Sequence, residues 1–293
     1  MLNIPIFLSS DDNYAPFIAT TIASICDNTK SFCEFYVLDG GIVEENKAKI
    51  CELKKQFNNF SIEFISIDLE KYFKESITTT YLSKSTYSRF LISNIKPQIE
   101  KAIYIDIDII ALGDIQKLFE IDLEDKTIGA IADQGDFKTL SDLKEKLDLP
   151  ENHQYFNAGV LLINLKQWRE ECITNKLFEI EKEYQEKLQF LDQDILNIVF
   201  KNNYKILDDI YNLQYSTKNA IIRHFVNVFK PWKANYIKIG NSVQFLAGFD
   251  EFWKYAQMTK FKDILKTEYE KNINSNMLVK RLSMIAEKSK GQK

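Results

Sequence analysis

Two histidines, four cysteines and nine glycines are few for a chain of 293 residues, and each scarcity narrows the chemistry available. None of the nine glycines falls in a G-x-G-x-x-G run, which excludes the dinucleotide fingerprint of a dehydrogenase. Cys26, Cys33, Cys51 and Cys172 are scattered with no C-x-x-C spacing, so they read as small hydrophobes and imply a reducing compartment. No sign of charge dominates: the net charge is −4 and the pI about 5.5, so no nucleic acid is expected as a partner. The opening MLNIPIFLSSDDNY meets aspartates too soon for a signal-peptide core, and no later apolar run approaches a membrane span. A cytoplasmic location is expected, or a peripheral one at the inner face of the cytoplasmic membrane.

What the chain has in quantity is core material. Hydrophobic residues make up 45%, with 21 Phe and 14 Tyr, which fits an ordered α/β protein. Residues 3–8, 35–41 and 60–67 read as strands, separated by helical patterning over 15–26 and 44–57. This order predicts a parallel sheet with helices on its faces. Further strands are expected at 101–110, 127–134 and 157–165, helices at 166–184, 192–199 and 249–257, and one or two amphipathic helices over 260–288. The expected division is a catalytic domain over 1–245 and a helical C-terminal appendage with a basic tail over 246–293. Asp11, Asp39, Asp106, Asp108, Asp133 and Asn157 all fall at or beside strand ends, where open parallel sheets bind ligands. Such a ring of acids repels itself unless a cation joins it.

Four segments carry candidate chemistry. In Tyr104-Ile105-Asp106-Ile107-Asp108 the two carboxylates share a face if the strand continues through Asp108. If the strand bends there, they meet a metal by another geometry. Two hard oxygen ligands leave most of a Mg²⁺ or Mn²⁺ shell open for phosphate oxygens and water. Exposed acids at a strand end are also common without a metal. His224, in RHFVNVFKPW, suits Mn²⁺ better than Mg²⁺, and Lys230 follows six residues later as a point charge for phosphate. His153, in a polar loop, reads as a structural histidine. In YFNAGVLLIN, Ala158 and Gly159 admit close backbone approach, and Asn157 offers both donor and acceptor to sugar hydroxyls. Asp192-Gln193-Asp194 opens a helix, where at least one acid suits the first turn.

Taken together and in order, SSDDNY (9–14), VLDGG (37–41), STYSRF (85–90), YIDID (104–108), YFNAGVLLINLKQW (155–168), LDQDILN (191–197) and HFVNVFKPW (224–232) resemble glycosyltransferase family 8. Within it the chain is similar to the bacterial lipopolysaccharide galactosyl- and glucosyltransferases. The resemblance covers about residues 3–232. It implies a GT-A fold, a Rossmann-like mixed sheet flanked by helices. It also implies retaining transfer of a hexose from UDP-galactose or UDP-glucose to a saccharide or glycolipid acceptor, with Mn²⁺ as the usual metal. By the same resemblance Asp106, Asp108 and His224 hold the metal, and Ser9, Asp11, Asn13, Ile107, Asn227 and Lys230 bind the nucleotide. Arg89, Asn157, Ala158, Asp192 and Gln193 surround the donor sugar. Gln193 and Asp192 are the catalytic candidates, and Asp133 is a candidate on the acceptor side. Asn227 departs from the glycine usual in the family, although Asn tolerates a left-handed backbone.

A neutral amide is a poor nucleophile, so Gln193 is expected to orient or stabilise the sugar during attack from the leaving-group face. Asp192 is expected to bind sugar hydroxyls. The polar segment 74–86 is a candidate lid or acceptor wall. Residues 277–293 combine basic and apolar residues and form either a basic amphipathic membrane-surface element or an ordinary solvated terminal helix. The alternatives to transfer onto a separate acceptor are a self-glucosylating, glycogenin-like primer and a UDP-sugar-binding protein without turnover. A nucleotide-sugar pyrophosphorylase is disfavoured because SSDDNY is acidic where that class needs a glycine-rich basic loop.

Overall fold

The structure is a computed structural model that describes residues 2–73, 76, 84–227, 230–239, 242–275 and 277–290. Seven strands form the main sheet: β1 (Asn3–Ser10), β2 (Phe32–Asp39), β3 (Phe60–Ser66), β4 (Lys101–Ile105), β6 (Ile128–Ala132), β7 (Phe156–Asn164) and β8 (Lys205–Ile206). Between β4 and β6 the chain makes β5 (Ile109–Ala111), which pairs with β9 (Ile222–His224) outside that sheet. A hairpin of β10 (Tyr236–Ile239) and β11 (Ser242–Phe245) follows.

The order is β3-β2-β1-β4-β7-β6-β8. The first four strands are parallel, as the β-α-β-α-β pattern predicts. Past them the parallel pattern stops: β7 runs antiparallel to both β4 and β6, giving the mixed sheet that the resemblance implies. That reversal matters for function. It sets the beginning of β7 beside the end of β4, at the edge where β1 and β2 also end. The chain passes from β1 out to β3 and returns to β4, so β1 and β4 flank the switch in strand order where such sheets open a crevice. The central strands read as unbroken apolar runs because both of their faces are covered; eight of the nine residues of β7 are buried.

The expectation of one strand over 101–110 is corrected. β4 stops at Ile105, and Ile109–Ala111 joins β9 instead. The Thr21 hydroxyl, on the helix Ala15–Asn28, donates to the carbonyls of Ile107 at 3.1 Å and Ile109 at 2.8 Å. Those bonds hold the intervening acids in a turn, and Ile109, Ile110 and Ala111 are buried in the second ladder. A hydrophobic run cannot show which ladder each half of it joins.

The helix expected over 166–184 is two helices, Leu165–Glu170 and Ile173–Tyr184, broken at Cys172, whose φ is +54°. Beyond residue 245 come helices Phe249–Ala256, Lys262–Asn274 and Met277–Lys290. Leu246, Phe252, Tyr255 and Phe261 belong to the same buried cluster as Ile4, Ile6 and Leu8. Trp232 joins the two regions, with its ring 4.0 Å from Phe17 and 5.4 Å from Phe252.

His153 is buried at 1% exposure. Its Nδ1 accepts from the Asn202 amide at 3.1 Å, and its Nε2 donates to Asn197 Oδ1 at 3.0 Å, a neutral tautomer. Burial pushes its pKa down. A histidine whose folded pKa lies below its unfolded value of about 6.5 contributes fully above that pH and less as the pH falls through it. The stability gap between wild type and His153→Gln should therefore narrow from pH 8 to pH 5.5 in urea denaturation. A gap that is constant or widens would contradict a neutral buried imidazole.

Candidate active site

The turn that ends β4 brings three possible metal ligands together. Asp106 is held by its own amide, which donates to the Gly159 carbonyl at 2.8 Å, and the Asp108 carbonyl accepts from Phe225 N at 2.9 Å. The β5–β9 register pairs Ile109 with His224 and so carries the imidazole to the acids. One ligand atom from each of Asp106, Asp108 and His224 lies within 4.8 Å of the others. The two carboxylates converge across a turn, the second of the two geometries open at the sequence level.

His224 Nδ1 lies 2.9 Å from Asn212 Oδ1, while Asn212 Nδ2 donates to Asn157 Oδ1 at 2.8 Å. An amide oxygen only accepts, so the imidazole proton sits on Nδ1. Nε2 then presents a lone pair to Asp108 Oδ1, 3.1 Å away. Two lone pairs at that distance call for a shared cation, either a second proton or a metal ion. Gly159 leaves the ring its space: a Cβ there would lie 2.3 Å from His224 Cε1 and 2.7 Å from Nδ1. A carboxylate pair with one imidazole nitrogen aimed at it fits a divalent cation of the Mn²⁺ or Mg²⁺ kind.

Two basic side chains balance the acids. The Lys230 ammonium pairs with Asp108 Oδ2 and donates to the Phe225 carbonyl. Burial alone would raise the Asp108 pKa, but Lys230, joined by His224 when its Nε2 carries the second proton, outweighs it and holds the carboxyl well below the usual range. Arg89, 5% exposed, reaches Asp106 Oδ1 at 2.8 Å, Asp192 Oδ2 at 2.9 Å and the Ala158 carbonyl at 2.7 Å. Its guanidinium lies 4.2 Å from the centre of the Tyr104 ring, and the Tyr104 hydroxyl donates to Asp106 Oδ1 at 3.0 Å. Asp192 also accepts from Thr86 Oγ1 at 2.6 Å. Burial pushes its pKa up to about 6 even with Arg89 beside it.

Gln193 Oε1 accepts from Asn157 Nδ2 and from the Ala158 amide, both at 3.0 Å. Its Nε2 faces Tyr155 Oη at 3.3 Å and Asp133 Oδ2 at 3.4 Å. These partners fix which end of the amide points where. Leu191, with φ of +47°, is the N-cap of the helix Asp192–Val199, so neither acid caps it. Asp194 instead reaches back to the amides of Gln189 at 2.6 Å and Phe190 at 2.7 Å.

The structure thus gathers Asp106, Asp108, His224, Lys230, Arg89, Asn157, Ala158, Asp192, Gln193 and Asp133 into one network. Ser9 lies near the end of β1; Asp11 follows, accepting from the Asn13 amide at 3.0 Å. Among the described residues no hydrogen bond ties Asp11 or Asn13 to the acid pair; Tyr14 links the two regions, its pKa raised by burial and by Asp11 and Asp108. Ile107 is held at its carbonyl by Thr21. Asn227 has φ of +57°, the left-handed backbone for which an asparagine substitutes for glycine. Its Nδ2 contacts the Tyr215 hydroxyl at 3.5 Å. Residues 74–75 and 77–83 of the candidate lid lie outside the described residues. Sequence reading missed Asn212, which sits in no motif, and passed over Thr86, Tyr104 and Tyr155, which sit in motifs already singled out.

Residues 5–236 match the family model described as glycosyl transferase family 8. A Haemophilus influenzae protein named as a glycosyltransferase is 35% identical over 222 residues, covering 74% of this chain and 65% of its own. This chain therefore spans just under two thirds of that relative's length. The lipopolysaccharide 1,3-galactosyltransferase of Salmonella typhimurium is 28% identical over 240 residues, 76% of this chain and 71% of that protein. Among solved structures, the galactosyltransferase LgtC in complex with donor and acceptor sugar analogs superposes with a TM-score of 0.74 at 27% identity, covering 88% of this chain and 96% of that one. The fold is GT-A-like.

Gly159→Ala sets a methyl group against the His224 ring and should lower stability by about 1–3 kcal/mol. The imidazole ¹H–¹⁵N resonances of His224 should shift with it. An unchanged urea midpoint and unchanged resonances would show that β7 does not position the ring.

Proposed function

The chain belongs to glycosyltransferase family 8, and from its cleft we propose a UDP-hexose-dependent retaining hexosyltransferase that transfers galactose or glucose to a saccharide, of a surface glycolipid or lipopolysaccharide. The observation that carries this reading is the meeting of Asp106, Asp108 and His224, with Nε2 and a carboxylate oxygen facing each other. Asp106, Asp108 and His224 would hold Mn²⁺, with Mg²⁺ as the substitute. When bound, such a cation stabilises the negative charge that develops on the departing UDP.

The remaining work falls to the chain's own groups. Lys230, held by Asp108, adds positive charge where a diphosphate leaves, and its preorganisation avoids a reorganisation cost. Ser9, Asp11, Asn13, Ile107 and Asn227 would line the nucleotide. Arg89, Asn157, Ala158 and Asp192 would surround the donor sugar, with Asp192 taking hydroxyl hydrogen bonds. Gln193 is the group for the electron-poor anomeric centre. Its Oε1 is already engaged by Asn157 and Ala158, so it orients and stabilises while the acceptor attacks from the leaving-group face. Asp133 borders the acceptor side. The transfer chemistry is assigned to residues 1–245.

The C-terminal helix supports a second, peripheral role. Met284 and Ile285 are 55% and 42% exposed, beside exposed Lys280, Arg281 and Lys288. That combination suits the surface of an anionic membrane, where a lipid-linked acceptor would reside. No helix is long and apolar enough to cross a membrane among the described residues.

Incubation with a panel of UDP-sugars should release UDP with one hexose donor in the presence of Mn²⁺ and not after chelation. Asp108→Asn should lower turnover by about 10²-fold or more, and the product should keep the donor's anomeric configuration. Binding without UDP release would favour the non-catalytic alternative, and a hexose-sized gain in the protein's own mass the self-glucosylating one. Separately, Met284→Ser/Ile285→Ser should weaken sedimentation with phosphatidylglycerol vesicles; unchanged sedimentation would sink the membrane role.

A further inference from the structure

Successive residues of β9 point to opposite faces. His224 turns to the acids, and Arg223 turns away from them, 1% exposed. Its Nε donates to the Ala247 carbonyl at 3.0 Å. Its Nη1 donates to the carbonyls of Gln214 at 2.5 Å, of Leu213 at 3.3 Å and of His224. One face of the guanidinium lies on the Phe225 ring, 4.5 Å from its centre. These contacts use Nε and Nη1. Among the described residues Nη2 has no acceptor and no carboxylate forms an ion pair with the group. Burial pulls its pKa down to about 10, with Tyr215, Asp108 and Glu251 opposing that only by longer-range attraction.

Arg223 lines a cavity of about 320 Å³, room for roughly ten waters at about 30 Å³ each. Ser216, Thr217 and Lys218 form one wall and Gln244 to Ala247 the other; no acidic side chain lines it among the described residues. The open Nη2 edge of this otherwise buried guanidinium faces the cavity, where an anion would pair with a charge that water alone solvates. The cavity supplies what an oxyanion needs: the N–H groups of Arg223 Nη2, held in place because Nε and Nη1 are bonded to carbonyls, the ammonium of exposed Lys218, and the hydroxyls of Ser216 and Thr217. We propose that this cavity is an anion-binding site, on the face of β9 opposite the acid cleft, that takes a phosphate or carboxylate group between Arg223 and Lys218. An occupant would touch both ends of the cleft machinery. Arg223 is bonded to the His224 carbonyl, and Tyr215 on the cavity wall meets Asn227 at 3.5 Å.

The anion is either free phosphate or a charged substituent on a saccharide, and calorimetry on the full chain without added divalent cation separates the two. Inorganic phosphate, glucose 6-phosphate and glucose serve as probes. Wild type should bind a phosphate-bearing probe saturably; Lys218→Glu should weaken that binding by about ten-fold or more. Lys230→Ala, which alters the proposed diphosphate contact, should leave it unchanged. Arg223→Gln, checked for folding by circular dichroism, should abolish it. Tighter binding of glucose 6-phosphate than of phosphate assigns a saccharide substituent, and equal or weaker binding assigns free phosphate. Loss of binding in Lys230→Ala with none in Lys218→Glu would overturn the proposal, as would no saturable binding by wild type. Neither result bears on the donor-site reading, which the UDP-release assay tests.

Discussion

Two carboxylates from distant elements, Asp106 after β4 and Asp192 at the start of a helix, share the buried guanidinium of Arg89. The same side chain donates to the Ala158 carbonyl on β7. Three elements of the cleft are therefore tied by one cation at 5% exposure. Removing one member of such a buried set costs about 3–5 kcal/mol, because the others are left charged and unpaired. The Asp192 carboxyl, raised to about 6 by burial, shows that the desolvation is only partly repaid. A cluster of acids can stay assembled this way before any ligand arrives.

The second half of the cleft rests on neutral amides. Asn157, Asn212 and Gln193 pass hydrogen bonds from Asp133 to the His224 ring, and each amide's orientation follows from its neighbours. The chain ends at an imidazole nitrogen with its lone pair toward Asp108. Preorganisation of this kind keeps that nitrogen aimed at acids that alone would repel, the arrangement a cation site needs.

Much of this was readable in the residues, and the unreadable part has a physical cause. The acids of YIDID and the Asn157-Ala158 start of β7 meet where their strand-end positions suggest, and Asp192-Gln193 joins them from the start of a helix. The left-handed Asn227 follows from what asparagine tolerates. The switch of Ile109–Ala111 to a second ladder was hidden, because an apolar run has the same pattern in either ladder. So was the antiparallel course of β7, which rests on pairings between residues far apart in sequence. Asn212 carries no local signal at all; its role exists only once β9 brings His224 beside it. Side chains that position others are legible only through the partners they hold.

A cation held by Asp106, Asp108 and His224 would also contact a bound UDP. Calorimetric titration of Mn²⁺ with and without UDP, and of UDP with and without Mn²⁺, tests it most directly. Each ligand should tighten the other by the same factor, about ten-fold or more, since coupling between binding sites is reciprocal. His224→Ala should remove that coupling. Affinities for Mn²⁺ and UDP that are independent of one another, or coupling that survives without His224, would contradict it.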